Sequence, residues 1–239
     1  MQNNEPARIC KSCGSSVLEN YCGQCGAPSQ VKRISMAGLL HDIFHFFTHL
    51  DKGIGYTVKM LIKAPGRMQR QYIEGDRARH QKPFSMFFIC ATIAALGRYW
   101  IDQILQKYYN AGSISEAAFF DKYMVLFMIA FLPFLALLIF VFFYKSGYNY
   151  AEIGVFVLYS VAFFLLVASC ISLLKFIWKN LDTAHIEFPF LLVYNTITFI
   201  NFFNKQPRWT VIIKSIVIIT GFFLLLQVTE DFFIKRFVK

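Results

Sequence analysis

Charge is scarce in this chain, and negative charge is scarcest. Asp and Glu supply 14 of 239 residues, against 24 Lys and Arg. There is no glycine-rich phosphate loop, no pair of carboxylates within an apolar run, and no Ser-His or Cys-His arrangement inside one. The residues therefore offer no reaction to assign. The first thirty residues lack the apolar core that a secretory signal needs. Hydrocarbon fills the remainder: 56% of residues are hydrophobic, 18% aromatic and only 16% charged, with a mean hydropathy of +0.48. Those proportions exclude an ordinary soluble domain and point to an all-α polytopic membrane protein.

The positive charge is placed unevenly. Between Asp51 and Pro83 stand Lys52, Lys59, Lys63, Arg67, Arg70, Arg77, Arg79 and Lys82, against the acids Asp51, Glu74 and Asp76. A basic block directly ahead of an apolar run marks the cytoplasmic side, which places the N-terminus in the cytosol. The net charge of +10 is densest here, where anionic lipid headgroups attract each basic residue by about 1 kcal/mol. Membrane lipid is therefore the expected partner, and nucleic acid is not.

Residues 1–30 form a separate head. Cys10-x2-Cys13 and Cys22-x2-Cys25 are each followed by glycine, Gly14 and Gly26. Zn²⁺ takes four soft ligands in a tetrahedron, and each Cys-x2-Cys turn supplies two thiolates. Two disulfides are the structural alternative, but a reducing cytosol disfavours them. A redox Cys-x2-Cys would need a strand-helix unit around it, and neither pair has one. The head is similar to the short zinc ribbons at the N-termini of many bacterial membrane proteins. With only Leu18 and Tyr21 as a core, it should be unfolded without metal. Such a ribbon serves either to dock a cytosolic protein or as an inert cap. Cys90 and Cys170 lie in apolar runs and read as packing residues.

Residues 31–83 read as a juxtamembrane region of amphipathic helices, with a polar linker (27–35) leading in. Within Gly38–Leu50, His41, His45 and His49 share a polar side, suited to a metal or to pH sensing, or simply to water. Ile54, Val58, Leu61 and Ile62 then fill one helix face opposite Lys52, Lys59 and Lys63. Pro65-Gly66 ends that helix, and Arg67 and Arg70 continue the charge. These five basic residues form a candidate lipid-binding collar.

The order of motifs resembles an uncharacterised bacterial family of zinc-ribbon membrane proteins, one of the numbered domains of unknown function. The matching positions are Asp51, Thr57, Leu61, Pro65, Gly66, Tyr72, Gly75, Arg77 and Pro83. Where that family usually has tyrosine, this chain has His80. The resemblance covers roughly residues 8 to 100. It implies a bacterial inner-membrane location and carries no activity.

Residues 84–239 should form a transmembrane domain of about five helices: 84–100, 123–144 with a kink at Pro133, 153–174, 186–203 and 211–228. Arg98 should snorkel to the far interface beside Tyr99 and Trp100. Tyr194, Thr198 and Asn201 share a face of the short fourth span, as glue between helices or as the lining of a substrate path. Asp182, His185 and Glu187 at its mouth suit either a solvated loop or an acid-base site. The leading expectation is a non-enzymatic scaffold or regulator whose ribbon docks a partner. The alternative is a transporter of a small molecule or lipid using the polar face. Nothing in the pattern fixes an oligomeric state.

Overall fold

The computed structural model describes residues 8–17, 19–44, 53–109, 115–178, 181 and 183–237. At the N-terminus β1 (Arg8–Ile9) pairs antiparallel with β2 (Ser16–Val17), Arg8 opposite Val17. Three short helices follow: α1 (Met36–Phe44), α2 (Ile54–Lys63) and α3 (Arg67–Glu74). The long ones are α4 (Pro83–Tyr109), α5 (Ser115–Phe142), α6 (Tyr150–Ser172), α7 (Ala184–Phe202) and α8 (Arg208–Phe237).

Stretches in α4, α6 and α8 are long and apolar enough to cross a bilayer: Pro83–Leu105, Tyr150–Phe176 and Arg208–Thr229. Five crossings are expected from the sequence, and the described residues supply these three. In α5 the apolar part is the shorter Ile129–Phe142. The 19-residue α7 carries Pro189 in its first turns.

Side-chain contacts fix the helix directions. Phe163 stacks on Tyr194 and Phe156 meets Phe202, so α6 and α7 are antiparallel. Phe188 meets Phe223, and Ser215 lies 3.5 Å from Thr196, so α7 and α8 are antiparallel too. The Tyr159 hydroxyl in α6 donates to the Gln81 carbonyl just ahead of α4, and Arg98, past the middle of α4, meets Glu187 at the start of α7. The helices α4, α6 and α8 therefore run in one sense, and α5 and α7 bring the chain back between them.

The region 31–83 is built into this bundle. Leu61, Met68 and Tyr72 belong to the same buried core as Phe87 of α4, Tyr159 of α6 and Phe202 of α7. On the apolar face of α2, Leu61 is buried and Ile54 and Val58 pack against the core, but the edge of that face is shifted. Ile62 is 62% exposed, whereas Thr57 is fully buried. Thr57 can be inside because its hydroxyl donates to the Gly53 carbonyl at 2.8 Å and accepts from the Gln81 amide at 2.9 Å. That one side chain ties α2 to the loop entering α4.

The α2–α3 turn seats directly on the backbone of α7. Gly66 has φ of +78°, and a Cβ there would run into the Thr198 carbonyl oxygen. Around it, Asn201 Nδ2 donates to the Pro65 carbonyl at 2.9 Å and the Tyr194 hydroxyl to the Leu61 carbonyl at 3.1 Å. Arg70 Nη1 returns a bond to the Asn201 carbonyl at 2.9 Å. Carbonyls left over at the end of α2 are thus satisfied by α7.

Gly66→Ala is expected to cost about 1–2 kcal/mol in left-handed backbone alone, and more through separation of α3 from α7. The melting temperature of the full-length protein in detergent should fall by several degrees. Gly55→Ala is the control: a Cβ there meets nothing within 4 Å, and alanine is the better helix former. An unchanged melting temperature in Gly66→Ala would refute this seat.

Candidate metal centre and its seat on the membrane domain

The head folds as two copies of one knuckle. The Cys10 amide donates to the Ser15 carbonyl at 2.8 Å, as the Cys22 amide does to the Ala27 carbonyl at 2.8 Å. The Gly14 amide donates to the Cys10 carbonyl at 2.9 Å, as the Gly26 amide does to the Cys22 carbonyl at 2.8 Å. Both glycines have positive φ, +78° and +70°, which turns the chain back after the second cysteine of each pair.

This geometry gathers Cys10, Cys13, Cys22 and Cys25 with all four sulfurs within 4.8 Å of one another. Cys10 Sγ lies 3.6 Å from Cys25 Sγ, and Cys13 Sγ lies 3.5 Å from Cys22 Sγ. All four are free thiols, so the cluster is not a pair of disulfides. Metal–sulfur bonds of about 2.3 Å in a tetrahedron require sulfurs about 3.8 Å apart, and the cluster is of that size. The four cysteines can therefore hold a metal ion.

Polar neighbours prepare the sulfurs unequally. The Ser15 hydroxyl lies 2.9 Å from Cys13 Sγ and 3.1 Å from Cys22 Sγ. It is the main reason that Cys13 is lowered and that Cys22 is drawn down to about 6. At Cys25 the Ala27 amide pulls downward, but burial and the three neighbouring thiols push it up to about 12. Four sulfurs this close cannot all become thiolates without a cation between them.

The hydrophobic support is slight. Among the described residues, Val17 and Ala27 are the apolar side chains buried with the cysteines. Tyr21, expected in this small core, is 66% exposed, and Leu18 lies outside the described residues.

The head is joined to the membrane domain by contacts along consecutive residues. Ser12, inside the first knuckle, donates to Asp76 Oδ1 at 2.6 Å. Val31 packs where a side chain on Gly75 would stand, and the Lys32 carbonyl accepts from Arg77 Nη2 at 3.0 Å. Arg33 Nε and Nη2 donate to the two oxygens of Glu152 at 2.8 Å each, and Nη2 also reaches the Gly147 carbonyl at 2.7 Å. The Ile34 carbonyl accepts from Asn149 Nδ2 at 2.9 Å. Residues 31–35, a linker by composition, thus form a strap clamped to the first turn of α6.

Sequence reasoning missed Ser12, Arg33, Asp76 and Glu152. Half of the clamp was open to view: Asn149-x2-Glu152 ahead of an apolar run is a capping-box pattern. The Asn149 side chain indeed accepts from the Glu152 amide at 2.8 Å, and Glu152 Oε2 accepts from the Asn149 amide at 2.8 Å. No local signal points to Arg33 as the third member.

The other candidate residues are distributed as follows. Lys59, Lys63 and Arg67 are exposed, Arg70 is half-buried against Asn201, and Lys52 lies outside the described residues. Tyr194 and Asn201 bond to the α2–α3 turn, and Thr198 donates to the Tyr194 carbonyl at 2.7 Å. His41 falls in α1, while His45 and His49 lie outside the described residues. Glu187 faces Arg98, 3.5 Å from Oε1 to Nη2, and His185 is exposed. Arg98, expected to snorkel, is 9% exposed against that carboxylate. Cys90 is buried in the core, and Cys170 is exposed on α6.

These features define an α-helical membrane protein with a four-cysteine head strapped to one end of its bundle. Residues 51–95 match the model of an uncharacterised numbered family, described as Protein of unknown function (DUF3667). The match takes in α2, α3 and the first half of α4. No curated protein and no solved structure matches the chain.

At the seat of the head lies His80, with its side chain 1% exposed and Nε2 3.9 Å from Asp76 Oδ2. Burial lowers its pKa below 6.5; Asp76 opposes the shift and Arg79 adds to it. The folded protein thus holds His80 neutral at pH values where the unfolded chain binds a proton. Stability should rise with pH up to about 6.5 and be lost as pH falls below it. Thermal melts of the full-length protein between about pH 7 and about pH 5 should show this slope, and His80→Gln should flatten it. An equal slope in the variant would remove His80 as the cause.

Proposed function

We propose that the chain is a non-enzymatic membrane scaffold or regulator whose zinc ribbon, held at the cytoplasmic face of a bacterial inner membrane, docks a cytosolic protein. One observation carries this reading. The ribbon spends one knuckle on the membrane domain through Ser12 and Asp76, while it exposes Ile9 at 75% and Tyr21 at 66%. A head with almost no apolar residues to spare gains nothing in stability from an aromatic side chain in water. Exposed aromatic and aliphatic side chains on so small a head are the usual anchors of a docking surface. Zinc suits the site because four thiolates in a tetrahedron are its structural ligand set.

Anionic lipid is the second partner in this reading. Lys59, Lys63 and Arg67 point away from the core, and with the half-buried Arg70 they are the described part of the collar that sets the cytoplasmic side. With α5 and α7 completing five crossings, the end of α8 lies across the membrane from the ribbon. The transporter alternative loses support, because the polar face of α7 is engaged by the α2–α3 turn.

Two measurements test this. Elemental analysis of the full-length protein should give one zinc per chain, falling to near zero in Cys10→Ser/Cys13→Ser. A photo-crosslinker at position 21 should trap a specific cytosolic protein in cells, and the adduct should vanish in the double serine variant. Zinc without any adduct would leave the ribbon an inert cap and sink the docking reading. Reporter fusions should place the C-terminus outside; cytoplasmic activity there would overturn the five-crossing topology.

A further inference from the structure

Between the strap and the loop entering α4 lies an open cleft of about 870 Å³. Lys32, Arg33, Arg77, Arg79 and Lys82 line it, and among the described residues no acidic side chain does. Arg33 is neutralised by Glu152. Arg77 is not: its guanidinium is held by the carbonyls of Lys32, Tyr72 and Ile73, which orient it and leave its charge intact. Lys32 and Arg79 are exposed, and among the described residues neither has a carboxylate within 4.0 Å. His80 also lines the cleft, and its ring Nδ1 is buried with no hydrogen-bond partner. A cluster of cations around an open cleft marks a place for an acceptor-rich anion.

The rest of the lining narrows the choice of anion. Ile34, Leu39, Pro83 and Val155 form an apolar side. Pro83 begins α4, and Val155 lies in the first turns of α6, so the cleft opens where two membrane-crossing helices start. A free phosphate would use only the basic side, whereas the glycerol and first acyl carbons of a lipid would use both. We propose that this cleft binds the phosphate of an anionic phospholipid headgroup, with Lys32, Arg77, Arg79 and Lys82 around the phosphate and the apolar side against the glycerol. The site is separate from the collar of Lys59, Lys63 and Arg67. It does not depend on the ribbon docking a protein.

The test uses the full-length protein in mild detergent, offered equal amounts of phosphatidylglycerol and phosphatidylcholine, with native mass spectrometry counting retained lipids. The parent should keep one phosphatidylglycerol per chain with at least about tenfold preference, a difference of about 1.4 kcal/mol. Lys32→Gln and Arg79→Gln, singly and together, should lose that lipid while melting like the parent, since both side chains are exposed. Lys59→Gln/Lys63→Gln should keep it. Inorganic phosphate at the lipid's concentration should not displace it. Retention of the lipid by Lys32→Gln/Arg79→Gln, or an equal uptake of both lipids, would overturn the proposal. Displacement by inorganic phosphate would overturn the lipid assignment and leave a plain phosphate site. The position-21 crosslink is read independently, so either reading can fail alone.

Discussion

The end of this molecule that carries the head depends on one carboxylate. Glu152 is 4% exposed, and its two oxygens accept from the Asn149 amide and from Arg33 Nε and Nη2. A charge so far from water is tolerable only when it is paired and hydrogen-bonded. In the first turn of α6 it also complements the positive end of the helix dipole. Asn149 completes the cap and, through its Nδ2, binds the strap. Starting a membrane-crossing helix and anchoring the N-terminal head are thus one set of hydrogen bonds.

The second constraint is the fate of backbone groups at the turn between α2 and α3. A helix that ends against a bundle leaves carbonyls that water does not reach. Here α7 supplies the donors from Tyr194 and Asn201, and Gly66 lets the two backbones touch. Polar residues in an apolar helix therefore serve as the receptor for a neighbouring turn. The short helices contribute side chains to the bundle core.

Much of this was legible in the sequence, and the remainder has a common cause. Cysteine spacing gave the head because metal ligation is a local pattern. Hydropathy gave α4, α6 and α8 because crossing a bilayer takes length and apolarity, both visible in one window. Partners far apart along the chain were not legible: Arg33 with Glu152, Ser12 with Asp76, Asn201 with Pro65. Each is an ordinary polar residue until folding brings its mate. Periodicity also misplaced the edge of a face. Ile62 reads as core and Thr57 does not, yet Thr57 has two hydrogen-bond partners and goes inside. Arg98 reads as an interface anchor for a similar reason: Glu187, its partner, lies 89 residues away.

The strap has a consequence for how the head moves. From Ser29 in the second knuckle to Ser35 at the start of α1 there are six residue steps, at most about 20 Å of fully extended chain. If the Ser12–Asp76 contact breaks, the head remains within that radius of its seat. Rebinding is then intramolecular, at an effective concentration in the millimolar range for so short a tether. Half-occupancy at that concentration takes about 4 kcal/mol, more than the roughly 1 kcal/mol of one ordinary hydrogen bond, so the strap contacts of Lys32, Arg33 and Ile34 hold the head close and the Ser12–Asp76 bond only orients it. A partner that takes the Asp76 side of the head therefore displaces one hydrogen bond, while the strap still keeps the head beside the membrane domain.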